Sequence, residues 1–388
     1  MAQTNLLLIP GPTPLPPEVL RAMDQQMTNH RGPAFGRLIS ETMDGLKEIF
    51  QTKNDIIPLV SSGTGGLEAA VTNFLSAGDR VLSINNGSFC ERFAAIAERY
   101  GARVDRVTAE WGRPVPLGAI TERIQGDAKR EYRAVLVTQS ETSTGVHNDV
   151  RAVRGVLGDH PALLMVDAVS SLGAIPLETD AWGVDVVITG SQKALMSPPG
   201  MAFVSVSDRA WAVAERSTTP RFYLDLGRGR TAVHDRVPST PFTTAMTVAY
   251  AVHTAVGLIL REGLPHVFDR HRRMARMVRA GVRGMGLAPL VEDAYAVNSV
   301  TPVLMPEGVD GKAVVARARD AYDVLLGAGI GRLDRTTVRI GHLGYTKTEW
   351  LLTGLETLGR CLGDVGHPVA TEAGVAAARL ALETAPQR

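Results

Sequence analysis

The 388-residue sequence predicts an α/β fold: a large domain on a mostly parallel sheet flanked by helices, followed by a smaller C-terminal α+β domain. Three observations carry this reading. From about Asp55 short apolar runs alternate with amphipathic segments at helical spacing, the pattern of a sheet covered on both faces. Several of the runs end in polar or glycine-rich turns, where open α/β sheets place their ligands. After about Met246 the alternation gives way to long helical stretches and then to a few mixed elements. A chain of this length is expected to form two domains. The expected division is an N-terminal segment, 1–16, packing near the small domain, a large domain over 17–255 and a small one over 256–388.

Taken in order, the N-terminal "LLLIPGPTPLPP" holds an apolar run too short, and too soon broken by proline, for a signal peptide or a membrane span. "IIPLV" reads as a strand leading into "LEAAVTNFLSAG", where Leu67, Val71, Phe74 and Leu75 share a helix face and Gly78 supplies a stop. The strand "RVLSI" precedes the helical "FCERFAAIAERYG". Further strands are "AVLVTQ", "LLMVD", "VDVVITG" and "MAFVSVS". Beyond Met246 come a helical "TVAYAVHTAVGLILREG" and, past Leu264–Pro265, a helical "HVFDRHRRMARMVRAGVRGMG". Then follow strand-like "VNSVTPVLM", helical "GKAVVARARDAYDVLLGAG", strand-like "TTVRIGHLG" and a helix from about Lys347. The alanine-rich tail from His367 predicts a last helix that frays.

Composition narrows the partners. Forty-one basic side chains face forty acidic ones, for a net charge of +1 and no long basic block. That argues against nucleic acid and membrane surfaces. The two cysteines, Cys90 and Cys361, offer neither a disulfide framework nor metal-ligand spacing, which fits a reducing, cytoplasmic setting.

The chemistry-bearing positions sit at strand ends. "SSGTGG", Ser61 to Gly66, is a glycine-rich turn feeding a helix N-terminus, where free backbone N–H groups and the helix dipole suit a phosphate. A dinucleotide site would want an acidic residue about twenty positions on. Here the next strand ends in Asn85 and Asn86, which weakens that alternative. Asp167 closes "LLMVD"; it either caps a turn or faces a cationic ring nitrogen. Lys193, behind "VDVVITG", is either a solvated loop residue or a nucleophile at the mouth of a site. A phosphate cradle, a strand-end Asp and a strand-end Lys are together the parts that pyridoxal phosphate needs.

"ETSTGV", "VDAVSSLGAIPL" and "TGSQKALMSPPGMAFVSVSD" resemble the fold-type I, class V aminotransferases, in particular the alanine–glyoxylate and serine–pyruvate or serine–glyoxylate group. So do "LLLIPGPTPLPPEVLRAM", "NHRGPAF", "SSGTGGLEAAV" and "VRIGHLGY", and the resemblance runs from about Leu6 to about Leu362. It implies a sheet of the seven-stranded type, a pyridoxal-phosphate cofactor, and small amino acid and 2-oxo acid substrates. By resemblance Lys193 is the Schiff-base lysine and proton carrier, and Asp167 the partner of the pyridine nitrogen. Val169 packs beneath the ring, Ser62, Gly63 and Thr64 cradle the phosphate, and Gln192 adds a contact. Thr142 bonds the ring hydroxyl, and Arg339 clamps the substrate carboxylate with its two-pronged fork. Phe89 stands where the family often has a tryptophan stacked on the ring. In "STPFTT" Thr243 matches a residue reaching the neighbouring subunit's phosphate, while Thr240 and Phe242 leave that segment's usual tyrosine unmatched. A homodimer with shared sites is therefore implied. His30 and Arg31 fit either a substrate mouth or a structural turn. On this fold the alternative activity is that of a cysteine desulfurase or related lyase, which needs a reactive thiol. A non-catalytic ligand-binding protein is the third possibility, and the complete Lys193, Asp167 and Arg339 set argues against it.

Overall fold

The computed structural model describes residues 5–384. Strand β1 (Leu6–Leu8) opens the chain but does not join the sheet that follows it in sequence. That sheet is built from β2 (Asp55–Leu59), β3 (Arg80–Asn85), β4 (Arg103–Thr108) and β5 (Tyr132–Thr138). A short hairpin, β6 (Ser140–Glu141) with β7 (Val146–His147), interrupts it before β8 (Leu163–Asp167), β9 (Val186–Gly190) and β10 (Ala202–Val206) complete it. The seven strands lie in the order β2-β10-β9-β8-β5-β3-β4, parallel throughout except for β10, which runs against both neighbours. The mostly parallel, helix-flanked sheet is as the sequence predicts.

Side chains alternate between its two faces. Val135 and Val137 enter one core with Phe35, Leu46 and Ile120, while Ala134 and Leu136 enter the other with Leu67, Phe74 and Phe93. Strand β4 is absent from the sequence expectation because "RVDRVT" carries three charges and buries only Val107. It is an edge strand, and charge on an edge discourages pairing with another chain.

The second sheet has the order β1-β13-β14-β12-β11, built from β11 (Ala288–Pro289), β12 (Val300–Leu304), β13 (Val324–Ala328) and β14 (Thr337–Gly341). Strand β1 pairs in parallel with β13, so the first described residues are stitched to the far end of the chain. The stretch "GKAVVARARDAYDVLLGAG" is not one helix, as expected, but a helix, Gly311–Tyr322, followed by β13. Asp323 caps the helix in the left-handed conformation (φ 55°) and turns the chain. The tail also differs from expectation. Its helix, Thr371–Glu383, packs closely on the helix Leu264–Gly284, with a Cβ placed on Gly284 only 2.8 Å from Ala377 Cβ and 2.9 Å from Gly374 Cα. Small residues bring two backbones together here, and Ala378 is fully buried.

Candidate active site

A cavity of about 200 Å³ opens at the carboxyl ends of the parallel strands. Ser62, Gly63, Thr64, Phe89, Thr142, Asp167, Val169, Gln192 and Lys193, nine of the eleven residues singled out from sequence, line it. Arg339 stands behind Thr142, and Thr243 is exposed elsewhere on the surface. A larger surface pocket of about 620 Å³ lies at the β4 edge, but its cations face neighbouring acids. Arg80 pairs with Asp105, Asp127 and Glu131, and Arg106 with Glu91 and Glu98.

Strand β9 delivers Lys193, whose Nζ donates a hydrogen bond to the Pro10 carbonyl at 2.5 Å. Burial pushes its amine down to about 8, helped by the positive charge of Arg339 and opposed by Asp167. Strand β8 delivers Asp167, whose carboxyl is driven up to about 6, chiefly by burial. Its Oδ1 accepts from the backbone N–H of Val169 at 3.0 Å, which partly offsets that rise.

The helix Gly63–Phe74 aims its N-terminus at the same cavity, and Ser62 at its N-cap makes no side-chain capping bond. The first N–H groups of a helix lack intrahelical partners, so this end is free to bind an anion. The glycines let the helix approach the sheet: a Cβ on Gly63 would fall 2.6 Å from Val169 Cγ2, and one on Gly66 2.7 Å from Ile188 Cγ2. Gln192 Oε1 is buried with no hydrogen-bond partner among the described residues.

Phe89 sits in the first turn of the helix Ser88–Arg99. The Arg92 guanidinium lies 4.8 Å from its ring centroid and donates to Thr64 Oγ1 at 3.2 Å. Arg339, on β14, donates to the carbonyls of Ala328 (2.8 Å) and Thr142 (3.2 Å). Only 8% exposed, and with no carboxylate paired to it among the described residues, its guanidinium is pushed down to about 10 by burial. The charge of Glu141 opposes that fall, and a buried fork that makes no ion pair has the donors to receive a carboxylate.

Sequence reasoning missed four contributors. Pro10 and Gly11 close over Lys193, and a Cβ on Gly11 (φ 113°) would lie 2.6 Å from Lys193 Cδ. Arg92 follows Phe89 by three residues on the same helix, a spacing that could have flagged it. Glu141 lay inside a quoted motif, yet its neighbours come from a helix some fifty residues away.

The class-V aminotransferase family model matches residues 6–292. A soluble hydrogenase small subunit of Synechococcus sp. is 40% identical over 99% of this chain and 100% of that one. An L-aspartate–glyoxylate aminotransferase of Paracoccus denitrificans is 38% identical over 98% of this chain and 96% of that one. A serine–glyoxylate aminotransferase of Arabidopsis thaliana is 35% identical over 97% and 95% respectively. Among solved structures, ureidoglycine–glyoxylate aminotransferase from Bacillus subtilis superposes with a TM-score of 0.94 at 31% identity, covering 99% of each chain. These relatives carry different names, and the residues decide between them. Here Lys193, Asp167 and a free helix end meet on one cavity, with Arg339 behind Thr142.

Proposed function

The chain belongs to the class-V aminotransferases, and on that premise we propose that it moves the amino group of alanine or serine to glyoxylate or pyruvate. The family implies pyridoxal phosphate, and the residues present fit it. The uncapped helix end stands ready for a phosphate, with Asp167 and Lys193 on the same cavity. When bound, this cofactor supplies an electron sink for the pair left at the substrate Cα.

The protein's own residues do the rest. Lys193, with its amine drawn down to about 8, reaches its neutral form more readily than a lysine in water; it would hold the cofactor's aldehyde carbon with loss of water and, once displaced by the substrate amine, would accept and return the Cα proton at Nζ. Asp167 would pair with the ring nitrogen, Phe89 and Val169 would pack on the ring, and Thr142 would bond the ring hydroxyl. Ser62, Gly63 and Thr64 would cradle the phosphate, joined by Thr243 from a partner copy in a homodimer, and Gln192 would add a contact beside the lysine. Arg339 would bind the carboxylate common to donor and acceptor, with Thr142 between it and the cavity. Glyoxylate recurs in the names of three of the neighbours above while their donors differ, which supports it as the acceptor. No helix of the described chain is long and apolar enough to cross a membrane, and a cytoplasmic setting completes the reading.

The observation that carries this function is the convergence of Lys193, Asp167 and a free helix end on one cavity, with the buried Arg339 behind Thr142. Neither thiol favours desulfurase chemistry. Burial raises Cys90 well above its ordinary value and Cys361 to about 11, so both stay protonated and unreactive. The test is a half-reaction screen: cofactor-loaded protein is mixed with single amino acids, and loss of its long-wavelength absorbance is followed. Alanine or serine should discharge it, and glyoxylate or pyruvate restore it. Discharge by aspartate or glutamate alone would overturn the donor assignment, and discharge by 2-aminoethylphosphonate the role of Arg339.

A further inference from the structure

Glu141 is fully buried and none of the roles above uses it. Its Oε2 accepts from the backbone N–H groups of Phe89 (2.9 Å) and Cys90 (3.0 Å) and from Cys90 Sγ (3.0 Å). Its Oε1 accepts from Ser143 N (3.0 Å) and Ser143 Oγ (2.6 Å), and Ser143 Oγ in turn accepts from Ser88 N at 3.0 Å. The helix Ser88–Arg99 has no cap from its own N-cap residue, Gly87. A carboxylate from the β6–β7 hairpin supplies that cap instead, at the positive end of the helix dipole. Gly87 is small for this reason: a Cβ there would lie 2.3 Å from Glu141 Cδ.

The two ends of this contact matter separately. On one side the capped turn carries Phe89, the ring platform of the cavity. On the other, the residue after Glu141 is Thr142, whose carbonyl receives Arg339 Nη1 at 3.2 Å. We propose that Glu141 is a positioning residue that locks the ring platform and the carboxylate receptor into one geometry, through the first turn of the Ser88–Arg99 helix and the Thr142 carbonyl. This rests on the roles given above to Phe89 and Arg339. It also accounts for an ionisable group kept wholly out of water: five donors surround the carboxylate, an arrangement that a neutral amide cannot match. Glutamine would turn an NH₂ toward one of the two donor sets, leaving buried donors facing each other.

The test compares Glu141→Gln with the milder Ser143→Ala, which keeps the carboxylate and removes one of its donors. Glu98→Gln, at an exposed ion pair with Arg106, is the control. The readouts are the visible circular dichroism of bound pyridoxal phosphate per unit absorbance, its Kd, and KM and kcat for the amino donor. Glu141→Gln should weaken the dichroism and raise both Kd and KM by about tenfold, with kcat falling less. Ser143→Ala should move the same quantities in the same direction by less, and it decides the matter should Glu141→Gln fail to fold. A lowered melting temperature in the variants with dichroism, Kd and KM unchanged would overturn the proposal and leave Glu141 a purely structural cap. Absence of any cofactor band in the unmutated protein would overturn the functional reading, and this inference with it.

Discussion

Burial moves the titration of both Lys193 and Asp167 toward neutral pH, and each shift has a consequence that can be measured. The Lys193 amine, drawn down to about 8 by burial and then by Arg339, gains its neutral form within reach of physiological pH. Capture of pyridoxal phosphate by the apoprotein should therefore accelerate as pH rises through about 8 and level off above it. Arg339→Gln removes a cation and should move that midpoint to higher pH; an unmoved midpoint in stopped-flow capture rates would rule out the electrostatic link. Asp167 titrates in the other sense. Folding lifts its carboxyl from 3.8 to about 6, so between those values the folded protein binds more proton than the unfolded chain. Its contribution to stability is full below pH 3.8 and is lost as pH rises through about 6. At neutral pH the buried charge thus costs on the order of 3 kcal/mol. The Asp167→Asn apoprotein should accordingly resist urea better than the parent near pH 7, with the gap closing below about pH 4. Equal stabilities at both pH values would show that burial does not strain this carboxyl.

Between secondary-structure elements the decisive contacts are made by small residues, and there the sequence was hardest to read. The tail helix Thr371–Glu383 shows why: its alanines and glycine resemble a fraying end, yet a Cβ on Gly374 would lie 2.3 Å from Met285 Cγ and 2.7 Å from the Gly281 carbonyl. Gly374→Leu should therefore destabilise the protein by about 1–3 kcal/mol through overpacking, seen as a lower melting temperature. Leu380→Lys on the same helix, at a position 61% exposed, should change it little. Equal tolerance of both would mean that the tail frays after all and contributes nothing to the packed core. The parallel strands, by contrast, were legible because Val135, Leu136 and Val137 and their counterparts are apolar on both faces. Lys193 and Asp167 were legible for a related reason, since each directly follows such a run or ends it. Strand β4 hid behind its charges, and β13 behind a helix that stops only because Asp323 adopts φ 55°. Pro10, which bonds Lys193 across 183 residues, and Glu141, which caps a helix from a distant hairpin, leave no periodic trace in the chain.

At the scale of the whole molecule the cavity lies where the two sheets meet. Strand β1 belongs to the second sheet, yet it leads straight into Pro10 and Thr13, and Thr13 donates to the carbonyls of Gln192 (3.2 Å) and Lys193 (3.1 Å). Arg339 also comes from the second sheet, so Lys193 and Arg339 stand on different sheets joined by the N-terminal segment. A second copy of the chain would extend the same logic. Thr243 is exposed here and lines no part of the cavity, and beside it Phe242 stacks on Tyr223 at 5.0 Å. Phe222, 64% exposed, and Tyr223, 46% exposed, complete an exposed aromatic patch there. If two chains share each site, two inactive variants must repair one another. Lys193→Ala removes the nucleophile, and Thr243→Glu sets a negative charge where the partner's phosphate is expected. In a mixed dimer one site combines Lys193 from the second variant with Thr243 from the first and is intact, while the other carries both lesions. Equal amounts of the two chains, co-expressed and assembled at random, should recover about a quarter of the unmutated activity. Each variant alone should stay near background, and co-expressed chains that do the same would show that each site is built from one chain.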